Sequence, residues 1–238
     1  GIDFVGFSIA GTTTETHDAI RINSHLPEVL NAIRLFQEEK KRRGLLRPKM
    51  HFIFLMVKDN VHEVPSIPSF TKEAGIGEVI LTNICHTINI WQETQRVFVW
   101  GNVRSQYEEF VKQAEINARK LNVRLKKPNL SAIDVPVCAE NPFGSLYISA
   151  EGEVSPCVYL HPPLPSPFRR IFCEQEHLTE QVSFGNIFRD SFSTIWESNN
   201  YEAFRNRFRE REKKYRDLYF SLWDSPRLNI SQDSVLPE

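Results

Sequence analysis

Cysteine is scarce in this chain: four among 238 residues, at positions 85, 138, 157 and 173. Thiols so few and so scattered exclude a disulfide-stapled scaffold and leave two uses, a metal site or inert core thiols. No apolar run approaches the roughly 20 residues that a membrane-spanning helix needs, and the opening GIDFVGFSIAG lacks the basic start of a signal peptide. An excess of either charge is missing too. The 29 Lys and Arg residues are interleaved with 30 Asp and Glu, a formal charge of -1, so there is no basic face for nucleic acid or an anionic membrane. There is no internal repeat and no low-complexity tract. What is present is an ordinary globular composition, 41% apolar and 25% charged, enough to bury one large domain or one and a half smaller ones, and a cytoplasmic setting is expected. Position 1 is Gly, the next residues already read as a buried strand, and the end stops in polar loop sequence. The chain is therefore expected to be a piece of something longer.

The first half alternates strand and helix signals. Phe4 to Ile9 is a strand, and Ser24 opens a helix in which Leu26, Val29, Leu30, Ile33 and Phe36 recur at helical spacing. MHFIFLMV, residues 50 to 57, is a continuous apolar run of the kind buried on both faces of a sheet. A helix over Glu63 to Ala74, with Pro65 and Pro68 in its early turns, leads to a strand over Glu78 to Leu81. A poorly patterned stretch holding Trp91, Phe98 and Trp100 follows. Ser105 and Glu108 then make a capping box for a helix whose Tyr107, Phe110, Val111, Ala114, Ala118 and Leu121 share a face, and Val123 to Leu125 is a further strand. Repeated β-α units at this spacing predict a parallel sheet, open or part of a barrel.

The pattern changes near Pro128. Cys138 and Cys157 frame CAENPFGSLYISAEGEVSPC, in which Leu146, Tyr147 and Ile148 face Val154 to Cys157 across Ala-Glu-Gly-Glu. Gly152 can take the positive φ that such a hairpin turn requires. Two soft thiolates on a rigid turn suit an iron-sulfur cluster or zinc, because both want deprotonated sulfur in fixed geometry. A Pro-rich connector over residues 161 to 168 leads to packing helices, with Phe192, Ile195 and Trp196 on one face and Tyr201, Phe204 and Phe208 on another. Residues 209 to 217, REREKKYRD, alternate in charge and read as a solvated helix face. Cys85, at the end of an apolar strand, and Cys173, in Arg-Ile-Phe-Cys, read as core or surface thiols.

Cys138, thirteen residues, Gly152, four residues, Cys157, then Phe184-Gly185-Asn186-Ile187 and the Ser193-Thr194-Ile195-Trp196 helix, resembles the opening half of the SPASM domain of radical S-adenosylmethionine (SAM) enzymes. Val5 to Gly11, with His17, Asp18 and Arg21 after it, looks like the fourth strand and following loop of the radical SAM partial barrel. Phe54-Leu55-Met56 with Asn60 and Glu63, then Lys72 to Gly77, looks like the fifth strand and helix. The resemblance spans roughly residues 3 to 208. It implies an α/β fold, the C-terminal part of a partial (β/α)6 barrel followed by a small α+β SPASM-like domain with a β-hairpin and packing helices. The expected boundaries are 1–127 for the barrel portion, 128–208 for the cluster domain and 209–238 for a charged helix and tail.

By resemblance, Cys138 and Cys157 are ligands of an auxiliary 4Fe-4S cluster, and Ser8 and Arg21 lie near SAM. A hydroxyl at a strand's C-terminal end can hydrogen-bond a ligand at a barrel mouth, and a guanidinium can pair with the methionine carboxylate in bidentate geometry. Read without the resemblance, these are a strand-end Ser and a surface Arg, and Asn60 with Glu63 is an ordinary helix N-cap signature. The resemblance further implies a parent enzyme that cleaves SAM reductively and modifies a peptide or protein, with an electron donor such as ferredoxin or flavodoxin. Two features depart from the family. No two cysteines approach the CxxxCxxC spacing that holds its catalytic cluster, and residues 174 to 238 contain none of the later SPASM cysteines. Other readings stay open: a non-catalytic scaffold derived from the fold, or a small zinc site formed by Cys138, Cys157 and His161.

Overall fold

A computed structural model describes residues 1–99, 104–133, 135–172 and 175–224, the side chains of 172 and 221–224 excepted. Trp100, Cys173 and the C-terminal tail, all singled out in the sequence, lie outside the described residues. The chain divides into two compact units, one of residues 1–133 and 171–175, the other of residues 134–170 and 176–238.

The first unit is built on four parallel strands in the order β1 (Phe4–Ile9), β2 (Lys49–Leu55), β3 (Glu78–Thr82) and β4 (Arg124–Lys126). Between them run α1 (Thr14–Ile20) and α2 (Leu26–Arg42), then a 3-10 turn over Val61–Ser66 continuing into α3 (Ile67–Glu73), then α4 (Ile90–Thr94) and α5 (Ser105–Leu121). Sequential parallel strands with helical crossovers are the arrangement that the β-α alternation predicts. The core gathers Ile9, Phe52, Phe54, Val79 and Leu81 from the strands, and Ile33, Ile67, Val111 and Ala114 from the helices.

Burial along β2 alternates where the apolar run predicted both faces covered. Phe52 and Phe54 are buried, while His51, Ile53 and Leu55 are only partly so. Side chains on a strand point alternately to opposite faces, so helices cover one face of this sheet. Ser8 lies on the other face, in register with Ile53, which in turn pairs with Ile80. This parallel sheet, more open on one face, is the partial-barrel geometry expected from the sequence.

Two helix starts differ from expectation. His25, not Ser24, is the N-cap of α2, and the Ser24 hydroxyl is taken up by His17 instead. The capping box at Ser105 does not form: Arg104 stands at the N-cap with no side-chain hydrogen bond, and its guanidinium lies 5.7 Å from the Tyr107 ring. The end of α5 is conventional, with Asn122 in the left-handed conformation and its N–H on the Ala118 and Arg119 carbonyls.

The second unit contains the antiparallel hairpin β5 (Tyr147–Ile148) and β6 (Val154–Ser155), with Tyr147 opposite Ser155 and Ile148 opposite Val154. Gly152 turns it at φ +84°. A second two-stranded ribbon, β7 (Phe168–Phe172) and β8 (Gln175–Thr179), of which Ile171, Phe172 and Gln175 belong to the first unit, has no counterpart among the sequence expectations. Two helices follow, α6 (Phe192–Trp196) and α7 (Asn199–Asp224). Their core is small and aromatic: Val154, Ile195 and Tyr201 are buried, with Leu146, Phe184, Trp196 and Phe204 against them. The charged run over residues 209 to 217 lies on α7 and is almost entirely exposed, as its composition predicts.

Candidate functional site

In the first unit the chain leaving β1 is held by side chains that come from far along the sequence. Glu63 accepts from the Thr12 N–H at 2.5 Å and from the Thr12 hydroxyl at 2.9 Å. Asn60, fully buried, donates from Nδ2 to the carbonyls of Ala10 and Leu55 and accepts the Val57 N–H at Oδ1, each over 2.8 Å. Asn60 stands at the N-cap of the 3-10 turn, but its side chain makes no cap hydrogen bond. The polar atoms of Asn60 and Glu63 satisfy backbone groups that follow β1 and β2 and would otherwise be left without these partners. Gly11 allows the close approach, since a Cβ there would lie 2.6 Å from the His17 nitrogen.

His17 closes this loop from the other side. The Ala10 N–H donates to Nδ1 at 3.3 Å, so Nδ1 carries no proton, and Nε2 donates to the Ser24 hydroxyl at 3.0 Å. Burial holds the His17 pKa below its ordinary value, against the opposing pull of Asp18. His25 behaves in the opposite way. Its hydrogen bond to Asp18 at 2.9 Å raises its pKa, while the same carboxylate receives the Leu26 N–H and is itself lowered, by His25 first.

The loop so fixed brings together Ser8 and Arg21, the two residues for which the resemblance implies a place near SAM. Arg21, the C-cap of α1, donates from Nη1 to the exposed Ser8 hydroxyl at 2.8 Å. Its Nε is buried and has no hydrogen-bond partner. A guanidinium in this state keeps a donor for a further oxygen ligand.

In the second unit Cys138 is exposed and Cys157 half-buried, and both are free thiols. They are close enough that Cys138 contributes to raising the Cys157 pKa, behind the larger effect of burial and alongside Glu140. The N–H groups of Leu160 and Tyr159 act the other way. Those N–H groups belong to the 3-10 turn Val158–Leu160, which starts directly after the hairpin with Cys157 at its N-cap. Cys85 is exposed and belongs to the first unit.

The donor set fits part of an iron-sulfur site. Two thiolates make one edge of a cluster that takes four protein ligands. Among the described residues no group of three or more His, Cys, Asp or Glu is placed to hold a metal ion. His161 does not join the cysteines in such a group, and its Nδ1 lies 3.2 Å from the Val182 carbonyl. On α7 two buried donors stand unpaired: the Tyr201 hydroxyl and Nη1 of Arg205. Leaving such groups buried without partners costs roughly 1–3 kcal/mol each, which favours an anionic group as neighbour. Aromatic periodicity had marked Tyr201 as a packing residue, and no sequence signal marked Arg205.

Residues 138–218 match the SPASM family model, described as an iron-sulfur cluster-binding domain. No curated protein matches the chain. Among solved structures, the crystal structure of Streptococcus suis SuiB bound to S-adenosylmethionine covers 82% of this chain at 11% identity and a TM-score of 0.50. A second structure of S. suis SuiB gives 82% coverage, 10% identity and a TM-score of 0.49. The chain spans 42% of the length of the first SuiB chain. Residues 138–218 thus match a SPASM domain, and the likeness to SuiB is one of fold.

Proposed function

We propose that this chain is part of a radical SAM/SPASM enzyme that modifies a peptide or protein, and that Cys138 and Cys157 are two of the ligands of its auxiliary iron-sulfur cluster. The observation that carries the reading is the position of the two cysteines. Cys138 opens the SPASM match, and Cys157 follows the Gly152 hairpin that fixes its backbone. When bound, the cluster supplies one-electron transfer next to the substrate, and a ferredoxin or flavodoxin is the class of donor that would feed it. The chain's own part is to hold two sulfurs on a rigid turn and to set N–H donors of the Val158–Leu160 turn beside one of them.

Ser8 and Arg21 are assigned to SAM in the same reading. Arg21 is braced on Ser8 through Nη1, leaving the unpartnered Nε to approach the methionine carboxylate. Clamping of the β1 loop by Asn60, Glu63 and His17 keeps that guanidinium in place before a ligand arrives, which lowers the ordering cost of binding.

The reading is tested by anaerobic incubation of the chain with ferrous iron and sulfide, followed by metal analysis and a visible spectrum. Iron and sulfide uptake with a broad brown charge-transfer absorption is expected. A colourless chain that binds stoichiometric zinc instead contradicts it.

A further inference from the structure

A cavity of about 710 Å³ opens within the second unit, in the size range of roughly 300–1,000 Å³ that ligand pockets occupy. The hairpin and its turn contribute Tyr147, Ser149, Glu151 and Glu153 to its lining, and the Pro-rich connector contributes residues 161 to 166. Gln181 and Ser183 complete it. Among the described residues no Lys or Arg lines this cavity.

The hydrogen-bond donors of the lining are largely spent. The Gln181 side-chain amide donates to the Pro162 and Leu164 carbonyls, each at 2.8 Å, which uses both of its N–H groups. Ser166 donates its hydroxyl to Glu180 at 2.5 Å, and Ser183 donates to Glu153 at 2.6 Å. Pro162, Pro163 and Pro165 have no backbone N–H to offer.

The acceptors are in the opposite state. His161 is 9% exposed, and its Nδ1 lies 3.2 Å from the Val182 carbonyl, a group that can only accept. Nδ1 therefore carries the proton, and Nε2 of the neutral ring is an acceptor with no hydrogen-bond partner among the described residues. Glu151 has its backbone engaged at both ends, the N–H by Ser149 and the carbonyl by Asn186, while its exposed carboxylate makes no hydrogen bond or ion pair. Glu153, by contrast, is tied by Ser183, Asn186 and Arg189. Folding accounts for the spent donors. It leaves the void, the free carboxylate and the nearly buried imidazole nitrogen without a role.

We propose that this cavity takes the cationic side chain of an arginine or lysine carried by a peptide, with Glu151 as the counter-charge and Nε2 of His161 as a further acceptor. The peptide as carrier rests on the function proposed above; the preference for a cation rests on the cavity alone. A guanidinium or ammonium has donors and no acceptor, which complements a lining that offers acceptors and a negative charge. The prolines fix the connector backbone in advance, so less ordering is lost on binding.

The test is titration of the full chain with acetyl-Ala-Arg-Ala-amide, acetyl-Ala-Lys-Ala-amide and the neutral isostere acetyl-Ala-citrulline-Ala-amide, followed by NMR with the His161 ring signals assigned. The two cationic peptides are expected to bind about tenfold more tightly than the citrulline peptide, to shift the His161 signals, and to lose that advantage in Glu151→Gln. The substituted side chain is exposed, so the variant keeps the fold. Equal affinity for the arginine and citrulline peptides, or an arginine advantage that survives Glu151→Gln, overturns the proposal. Free arginine that binds more tightly than the arginine peptide overturns the assignment to a peptide. A chain that discriminates in this way but takes up neither iron nor sulfide supports the cavity and overturns the cluster reading, whereas one that takes up both and fails to discriminate overturns the cavity alone.

Discussion

Glu63 holds Thr12 by both its backbone N–H and its hydroxyl, across 51 positions of sequence. With Asn60 on the Ala10 carbonyl, it ties the end of β1 to the end of β2. Asn60→Ala leaves the Val57 N–H and the Ala10 and Leu55 carbonyls without these partners, and is expected to destabilise the first unit by roughly 3 kcal/mol. Glu63→Ala should cost less, about 1–2 kcal/mol, because the Thr12 side is partly exposed. Urea denaturation monitored by far-UV circular dichroism checks both, and equal stability of Asn60→Ala and wild type would show that the clamp has no energetic weight.

His17 makes the same loop sensitive to acid. Its folded-state pKa lies below the ordinary 6.5, so at a pH between the two values the unfolded chain binds more protons than the folded one. The stabilisation is complete above about 6.5 and is lost as pH falls through the lowered pKa, where protonation of Nδ1 breaks the bond from the Ala10 N–H. His25 has the opposite sign. Its raised pKa gives stability that is complete below about 6.5 and lost as pH rises through the folded-state value. Since the His25 pair with Asp18 is exposed, the His17 effect should dominate. His17→Asn, whose Oδ1 can accept the Ala10 N–H without titrating, is expected to flatten the loss of stability between pH 7 and 5. An unchanged slope would place the acid sensitivity elsewhere.

The hairpin turn is the weak point of the second unit. Gly152 sits at φ +84°, and a Cβ there would lie 2.6 Å from the Phe188 ring and 2.8 Å from Asn186 Oδ1. The exposed Phe188 can swing aside, but Asn186 is held by the Glu151 carbonyl and the Glu153 carboxylate. Gly152→Ala is therefore expected to destabilise this unit by about 1–2 kcal/mol and to loosen the approach of Cys157. Faster amide exchange at Val154 than in the wild type is the corresponding readout.

Much of the sheet was legible because apolar runs such as residues 50 to 57 leave few alternatives, and the Gly152 hairpin was legible because turn chemistry is local. Other elements depend on contacts that local pattern does not encode. The Thr-rich α1 has no apolar period; Thr13 caps it and His17 anchors it. FRRIF and QEHLT form a ribbon although they carry almost no apolar alternation. Asn60 and Glu63 look like a cap and act across the sheet. At the cysteine site, spacing identified the two thiols, whereas the unpaired donors of Tyr201 and Arg205 became visible only once the aromatic cluster was assembled around them.

Incubated with SAM and a strong reductant, this chain by itself is expected to yield no 5′-deoxyadenosine. Its cysteines at 85, 138, 157 and 173 cannot form the three-thiolate CxxxCxxC loop on which reductive cleavage depends in the family that it resembles. Chromatographic detection of stoichiometric 5′-deoxyadenosine would contradict this and point to a different set of iron ligands.

Joint ligation of an iron-sulfur group by Cys138 and Cys157 is tested most directly by acid-labile sulfide per chain in the wild type, Cys138→Ser and Cys157→Ser. Sulfide and iron are expected in the reconstituted wild type and a loss of most of both in either variant, with Cys85→Ser unaffected. Equal sulfide content in Cys157→Ser and wild type would contradict it.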